Sequence, residues 1–123
     1  MAVAVLTAVV ATLYSAFEVN EQRRFLTSGF DLGIFDQAVR GYAHLGAPVS
    51  LIKGVHDGFG THFSVLGDHF SPILVLLAPA YRVFPHAQTL LIAQGLLFAA
   101  SVPFVWLFTR RKLGRVAAYP IAL

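Results

Sequence analysis

Cysteine is missing from all 123 residues, and its absence removes three kinds of chemistry at once: disulfide frameworks, thiolate metal sites and thiol nucleophiles. Charge is nearly as scarce. Lys, Arg, Asp and Glu make up 12% of the chain, about half the ~25% usual in soluble domains. No internal repeat and no low-complexity tract is present.

What fills the chain instead is apolar: 57% hydrophobic residues, eleven Phe, four Tyr and one Trp, with a mean hydropathy of +0.70. This is the composition of an integral membrane protein. The net charge of +3 would suggest nucleic acid only if the cations formed one solvated patch. They do not. Arg23 and Arg24 follow the first apolar run, and Arg110, Arg111, Lys112 and Arg115 follow the last, so the cations mark membrane boundaries.

Residues 1–17 are uncharged and as a helix would reach roughly 25 Å, close to the ~30 Å hydrocarbon core. They are read as transmembrane helix 1, because a signal peptide would carry a positive start and a small-residue cleavage site. Residues 86–109 are read as transmembrane helix 2, with Trp106 near its end and a cytoplasmic turn at 110–115. Residues 116–123 open a further helix, so the chain reads as the N-terminal fragment of a polytopic bundle.

Between the spans, "SPILVLLAPAYRVF" at 71–84 is apolar but too short to cross. It is expected as a short interfacial helix with Ser71 as N-cap, Pro72 at its first position and a kink at Pro79. The positive-inside rule then puts the N-terminus inside, residues 18–86 outside, and the 110–115 turn inside.

Residues 31–44 alternate apolar Leu32, Phe35, Val39, Tyr42 and Ala43 with Asp36, Gln37, Arg40 and His44. That spacing predicts an amphipathic helix at the membrane surface, in a loop spanning 18–70. Asp36 and Arg40 form an i,i+4 pair. Asp31, at the helix start, is either an N-cap or a carboxylate facing a lipid-borne substrate; residues 45–67 read as an irregular loop. His56, Asp57 and His62 fit no helical ligand spacing, and no metal is assigned to them. Asp68 and His69 stand just ahead of the 71–84 helix and are candidates for holding a phosphate or a reacting hydroxyl.

"FDLGIFDQ", "GDHFSPILVLLAP" and "TLLIAQGLL…RRKLG" resemble the N-terminal portion of a bacterial family of predicted membrane proteins known only as a domain of unknown function. The order of parts is also similar to the GT-C superfamily of glycosyltransferases. That likeness implies an all-α membrane bundle with juxtamembrane helices in its first outer loop, located in the cytoplasmic membrane. It also implies a polyprenyl-phosphate sugar as donor substrate, with the bilayer and the remaining transmembrane helices as partners, and no cofactor.

Under the likeness Asp31 corresponds to the first acidic residue, the catalytic base, while Asp36, Arg40, Asp68 and His69 would contact substrate. Leu32 stands where the superfamily often has a second acid, and Pro72 is a single proline where two are common. The competing reading is a non-enzymatic polytopic protein, a transporter or an assembly factor.

Overall fold

The computed structural model describes residues 1–122, which are helical apart from turns and one isolated antiparallel bridge between Val49 and Ser64. The protein is an all-α membrane chain with two helices long and apolar enough to cross a bilayer. It divides into two compact units, Met1–Glu21 with Leu91–Leu123, and Gln22–Leu90.

The first unit is built from long helices. Helix α1 runs Ala2–Arg23, six residues beyond the expected end at 17, because Glu18, Glu21 and Gln22 are good helix formers and no Gly or Pro intervenes. The chain turns only after it, where Phe25 adopts φ 58°. Thr7 and Thr12 each donate to the carbonyl four residues back, both at 2.9 Å, so their hydroxyls need no water.

Helix α5 runs Gln88–Leu113. Its end corrects the expected turn at 110–115: Arg110, Arg111 and Lys112 form the last helical turn, where cations complement the helix dipole. Only Gly114 breaks the helix, at φ 86° and ψ 174°, a backbone region open to glycine alone. A further helix, Arg115–Ile121, starts immediately after it.

Along α5 the buried positions include Leu91, Gly95, Ala99 and Val102, one stripe at helical spacing. Gly95 lets α1 approach closely: a Cβ there would lie 2.7 Å from Ser15 Oγ and 3.0 Å from Ser15 N. Close backbone approach through small residues is how helices gain contact where lipid removes the hydrophobic drive. Tyr14 stacks on Phe98 beside it at 5.9 Å.

The second unit centres on α2, Gly29–Ala43, which packs against α3 (Leu51–His56), a 3₁₀ segment at Pro72–Leu77, and α4 (Ala78–Val83). Helix α6 spans Arg115–Ile121 in the first unit. Val39 and Ala43 meet Ala78 and Tyr81 in one apolar cluster, and Ile34 and Ala38 meet Val65 in another.

Helix α3 lies where an irregular loop was expected. Six residues are too few for periodicity to reveal, but Ser50 is a true N-cap: its Oγ accepts from Lys53 N at 3.2 Å. The returning chain is pinned by Ser50 N donating to Phe63 O at 3.0 Å and Val65 N to Pro48 O at 2.9 Å. Gly54 makes this possible, since a Cβ there would meet Gly60 O at 2.0 Å.

The 71–84 stretch is two short helices rather than one. Ser71 makes no side-chain cap bond, which corrects its expected role. A continuous α-helix would need an N–H from Pro79, which has none. The chain instead runs as 3₁₀ to Leu77 and restarts with Pro79 in the first turn of α4.

Candidate functional site

The sequence-selected residues fall into three separate groups in the second unit. Asp31 lies in the first turn of α2 and is exposed. It is not the N-cap. That position is Ser28, whose Oγ donates to Asp31 Oδ2 at 3.4 Å, and a carboxylate in the first turn suits the positive end of the helix dipole.

Asp36, one and a half turns on, is held from several directions. Arg40 Nε donates to its Oδ2 at 2.8 Å, and Tyr81 OH donates to its Oδ1 at 3.0 Å. Arg40 Nη2 reaches the same Oδ1 at 3.4 Å and also donates to Pro85 O at 2.6 Å. The pair is therefore not the solvated surface bridge that an i,i+4 spacing suggests, since Asp36 keeps only 16% of its side-chain exposure.

The electrostatics follow from that geometry. The hydrogen bond to Asp36 holds the Arg40 guanidinium above its ordinary range against the opposing effect of burial, with the Asp36 charge adding to it. Tyr81, 1% exposed, has its phenol pushed well above its usual range, first by burial and then by the Asp36 charge and hydrogen bond. The phenol is thus a fixed proton donor to the carboxylate.

Asp68 and His69 belong to another group. Lys53 on α3 bridges Asp57 at 2.8 Å and Asp68 at 3.1 Å, and His69 Nδ1 lies 2.8 Å from Asp68 Oδ2. The hydrogen bond from Lys53 holds the Asp68 carboxyl below its ordinary range, and the hydrogen bonds to Asp57 and Asp68 raise Lys53. The His69 ring meets the edge of Phe35 at 5.7 Å. Asp68 closes the turn Val65–Gly67 rather than opening the helix at Pro72.

Several partners were not visible in the sequence. Gln37 Oε1 accepts from the buried Ser50 Oγ at 3.0 Å and from Ile52 N at 3.1 Å, fastening α3 to α2. Arg82 Nε donates to Ala43 O at 2.8 Å and satisfies the carbonyl end of α2. These contacts join residues 13 to 39 positions apart, beyond any local spacing rule. His56 lies 3.8 Å from Asp57, and among the described residues no three His, Cys, Asp or Glu side chains are placed to hold a metal ion.

A cavity of about 410 Å³ opens beside α2. One wall is a single helix face, Gly29, Leu32, Gly33 and Asp36; the other comes from Gln22, Phe25 and Thr27, with Ala87 at the edge. Gln88 Nε2 donates to Gln22 Oε1 at 2.9 Å and steadies that wall. Asp36 lines this cavity and Asp31 does not.

No curated protein and no solved structure matches the chain. A family described as "Predicted membrane protein (DUF2079)" matches residues 22–123, which takes in the whole second unit and most of the first. Apolar helices of spanning length and a match over most of the chain agree: this protein belongs to the DUF2079 family of predicted membrane proteins.

Proposed function

We propose that the chain is the N-terminal part of a membrane-embedded, GT-C-like glycosyltransferase of the bacterial cytoplasmic membrane. It moves a sugar from a polyprenyl-phosphate donor to an acceptor outside the cytoplasm. The N-terminus lies inside, residues 18–86 outside, and the cations after Thr109 inside.

The observation that carries this reading is the state of the four aspartates between the two long helices. Asp36, Asp57 and Asp68 are each paired with Arg40 or Lys53, so their oxygens are already engaged. Asp31 is exposed, with a serine hydroxyl as its neighbour and no cation among the described residues. Among the four aspartates it is the one without a cation beside it; Glu18 and Glu21, also outside any ion pair among the described residues, lie on helix α1.

In the reaction, the acceptor oxygen forms a bond to the anomeric carbon as the bond from that carbon to the phosphate oxygen breaks. The lipid phosphate leaves with the electron pair, and the acceptor's proton passes to Asp31. Asp36 and Arg40 form the rigid substrate-facing element, while Asp68 and His69 lie at a second polar cluster available to substrate.

The test is transfer from a polyprenyl-phosphate sugar by the full-length protein in membranes. Asp31→Asn is expected to lower kcat by roughly 100-fold or more, the scale of a lost general base, with expression unchanged. Undiminished transfer removes Asp31 from the role. Because the chain lacks cysteine, single cysteines at Gly58 and Lys112 probe the topology with an impermeant maleimide. Labelling at 58 alone in intact cells is expected; labelling at both would overturn the arrangement.

A further inference from the structure

The cavity beside α2 has a chemical character that the transfer reading does not use. Its helix wall is open at Gly29, whereas a Cβ at Gly33 would meet Ile52 Cδ1 at 2.7 Å, so that second glycine makes room for α3. A Cβ at Gly29 would meet nothing within 4 Å, so the space there is not required by packing. Around that space stand a carboxylate, a carboxamide, a hydroxyl and an aromatic ring, from Asp36, Gln22, Thr27 and Phe25.

The hydrogen-bond inventory says what could enter. A carboxylate has about four lone-pair sites, and Asp36 receives three donors, two of them on Oδ1 and one on Oδ2. One position on Oδ2 remains for a ligand hydroxyl. Gln22 accepts from Gln88 through its oxygen, and among the described residues its own amide hydrogens have no partner. Thr27 adds a group able to donate and accept.

A phosphate fits this lining poorly. No Lys, Arg or His lines the cavity: Arg23 and Arg24 stand between Gln22 and Phe25 in sequence without joining the lining, and Arg40 is spent on Asp36 and Pro85. The charged group on the lining is the Asp36 carboxylate, already paired with Arg40, so nothing in the lining attracts an anion. An aromatic ring beside donors and acceptors suits a ring that carries hydroxyls on its edge and C–H groups on its faces.

We propose that this cavity is a subsite for a neutral polyhydroxylated ring, separate from the site of the lipid phosphate. That this ring is the transferred or accepting sugar rests on the glycosyl-transfer reading; the cavity's preference for neutral polyols does not.

The experiment is saturation-transfer NMR on the full-length protein in nanodiscs. The probes are the methyl glycosides of mannose, glucose, galactose and N-acetylglucosamine, with inorganic phosphate as competitor. At least one glycoside is expected to bind, to bind about tenfold more weakly or worse in Gly29→Leu, and to weaken in Thr27→Val. Phosphate is expected not to compete.

Absence of binding by all four glycosides, binding unaffected by Gly29→Leu, or displacement by phosphate would each overturn the proposal. Helical content and melting of Gly29→Leu are checked alongside, and a variant that fails to fold is replaced by Thr27→Val as the deciding case. Glycoside binding that depends on Gly29 in a protein without transfer activity would sink the transferase reading and uphold the cavity. Transfer with an unchanged KM in Gly29→Leu would do the reverse.

Discussion

The two units of this chain are held by opposite means. The first, α1 with most of α5 and α6, buries small residues such as Gly95, Ala99 and Ala118 and leaves Leu97, Phe104 and Phe108 exposed. Among the described residues it has no ion pair. The second is shorter-limbed and is fastened by polar bonds: Asp36 with Arg40 and Tyr81, Gln37 with Ser50, and Lys53 with Asp57 and Asp68. Each suits a different solvent, since lipid rewards close backbone packing, whereas a region beside water can satisfy and orient polar groups.

The largest break in that contrast should come from Gly54→Ala. Its Cβ would lie 2.0 Å from Gly60 O and 2.8 Å from Phe63 Cβ, and backbone cannot give way cheaply. A loss of about 3 kcal/mol is expected, at the upper end for overpacking. Hydrogen exchange of the full-length protein should show it as lost protection in α3 and the Val49–Ser64 bridge, with α1 and α5 unchanged.

Gly95→Ala is the matching break in the first unit. The Cβ would crowd Ser15 Oγ at 2.7 Å and Ser15 N at 3.0 Å, and a cost of about 1–2 kcal/mol is expected as the helices separate. A Tyr14→Cys, Phe98→Cys pair, placed where the two rings stack, should cross-link less efficiently in this background. Unchanged cross-linking would mean that close approach at Gly95 does not hold these helices.

Tyr81→Phe sharpens the comparison by removing one donor and almost no volume. Asp36 Oδ1 would keep only the long 3.4 Å contact from Arg40, and about 1 kcal/mol should be lost from the second unit. Denaturant-dependent exchange at α2 and α4 measures it. An unchanged α2 would mean that the apolar contacts of Val39 and Ala43 suffice without the phenol's hydrogen bond.

The smallest effect should be pH-dependent and confined to the second unit. Asp68 has a lowered folded pKa, so its contribution is complete above the ordinary carboxylate value of about 4 and is lost as pH falls through the lowered value. Lys53 is raised, so its contribution is complete below about 10.4 and lost as pH rises through the raised value. Protection of α3 should therefore be flat from about pH 5 to 9 and fall in acid. Asp68→Asn should flatten the acid limb.

Much of this architecture can be read from residue pattern alone. Uninterrupted apolar runs at 1–17 and 89–108 dictate long helices because lipid leaves a backbone no partner but itself. Helix α2 follows from its periodicity, and Gly114 marks the break after α5 because α5 is helical up to it. Pattern was a poorer guide to ends and short elements. The helical stretch of 18–23 and the turn of α3 depend on propensity and one cap, which carry about 1 kcal/mol each.

What tertiary structure decided is which polar groups are already spoken for. Asp31 and Asp36 look alike in "FDLGIFDQ", yet Tyr81 from 45 residues away binds one and leaves the other. Asp68 looks like a helix-start acid until Lys53 is seen beside it. Hydrogen bonds and ion pairs act over about 3 Å of space, and no spacing along the chain encodes which distant donor will arrive there.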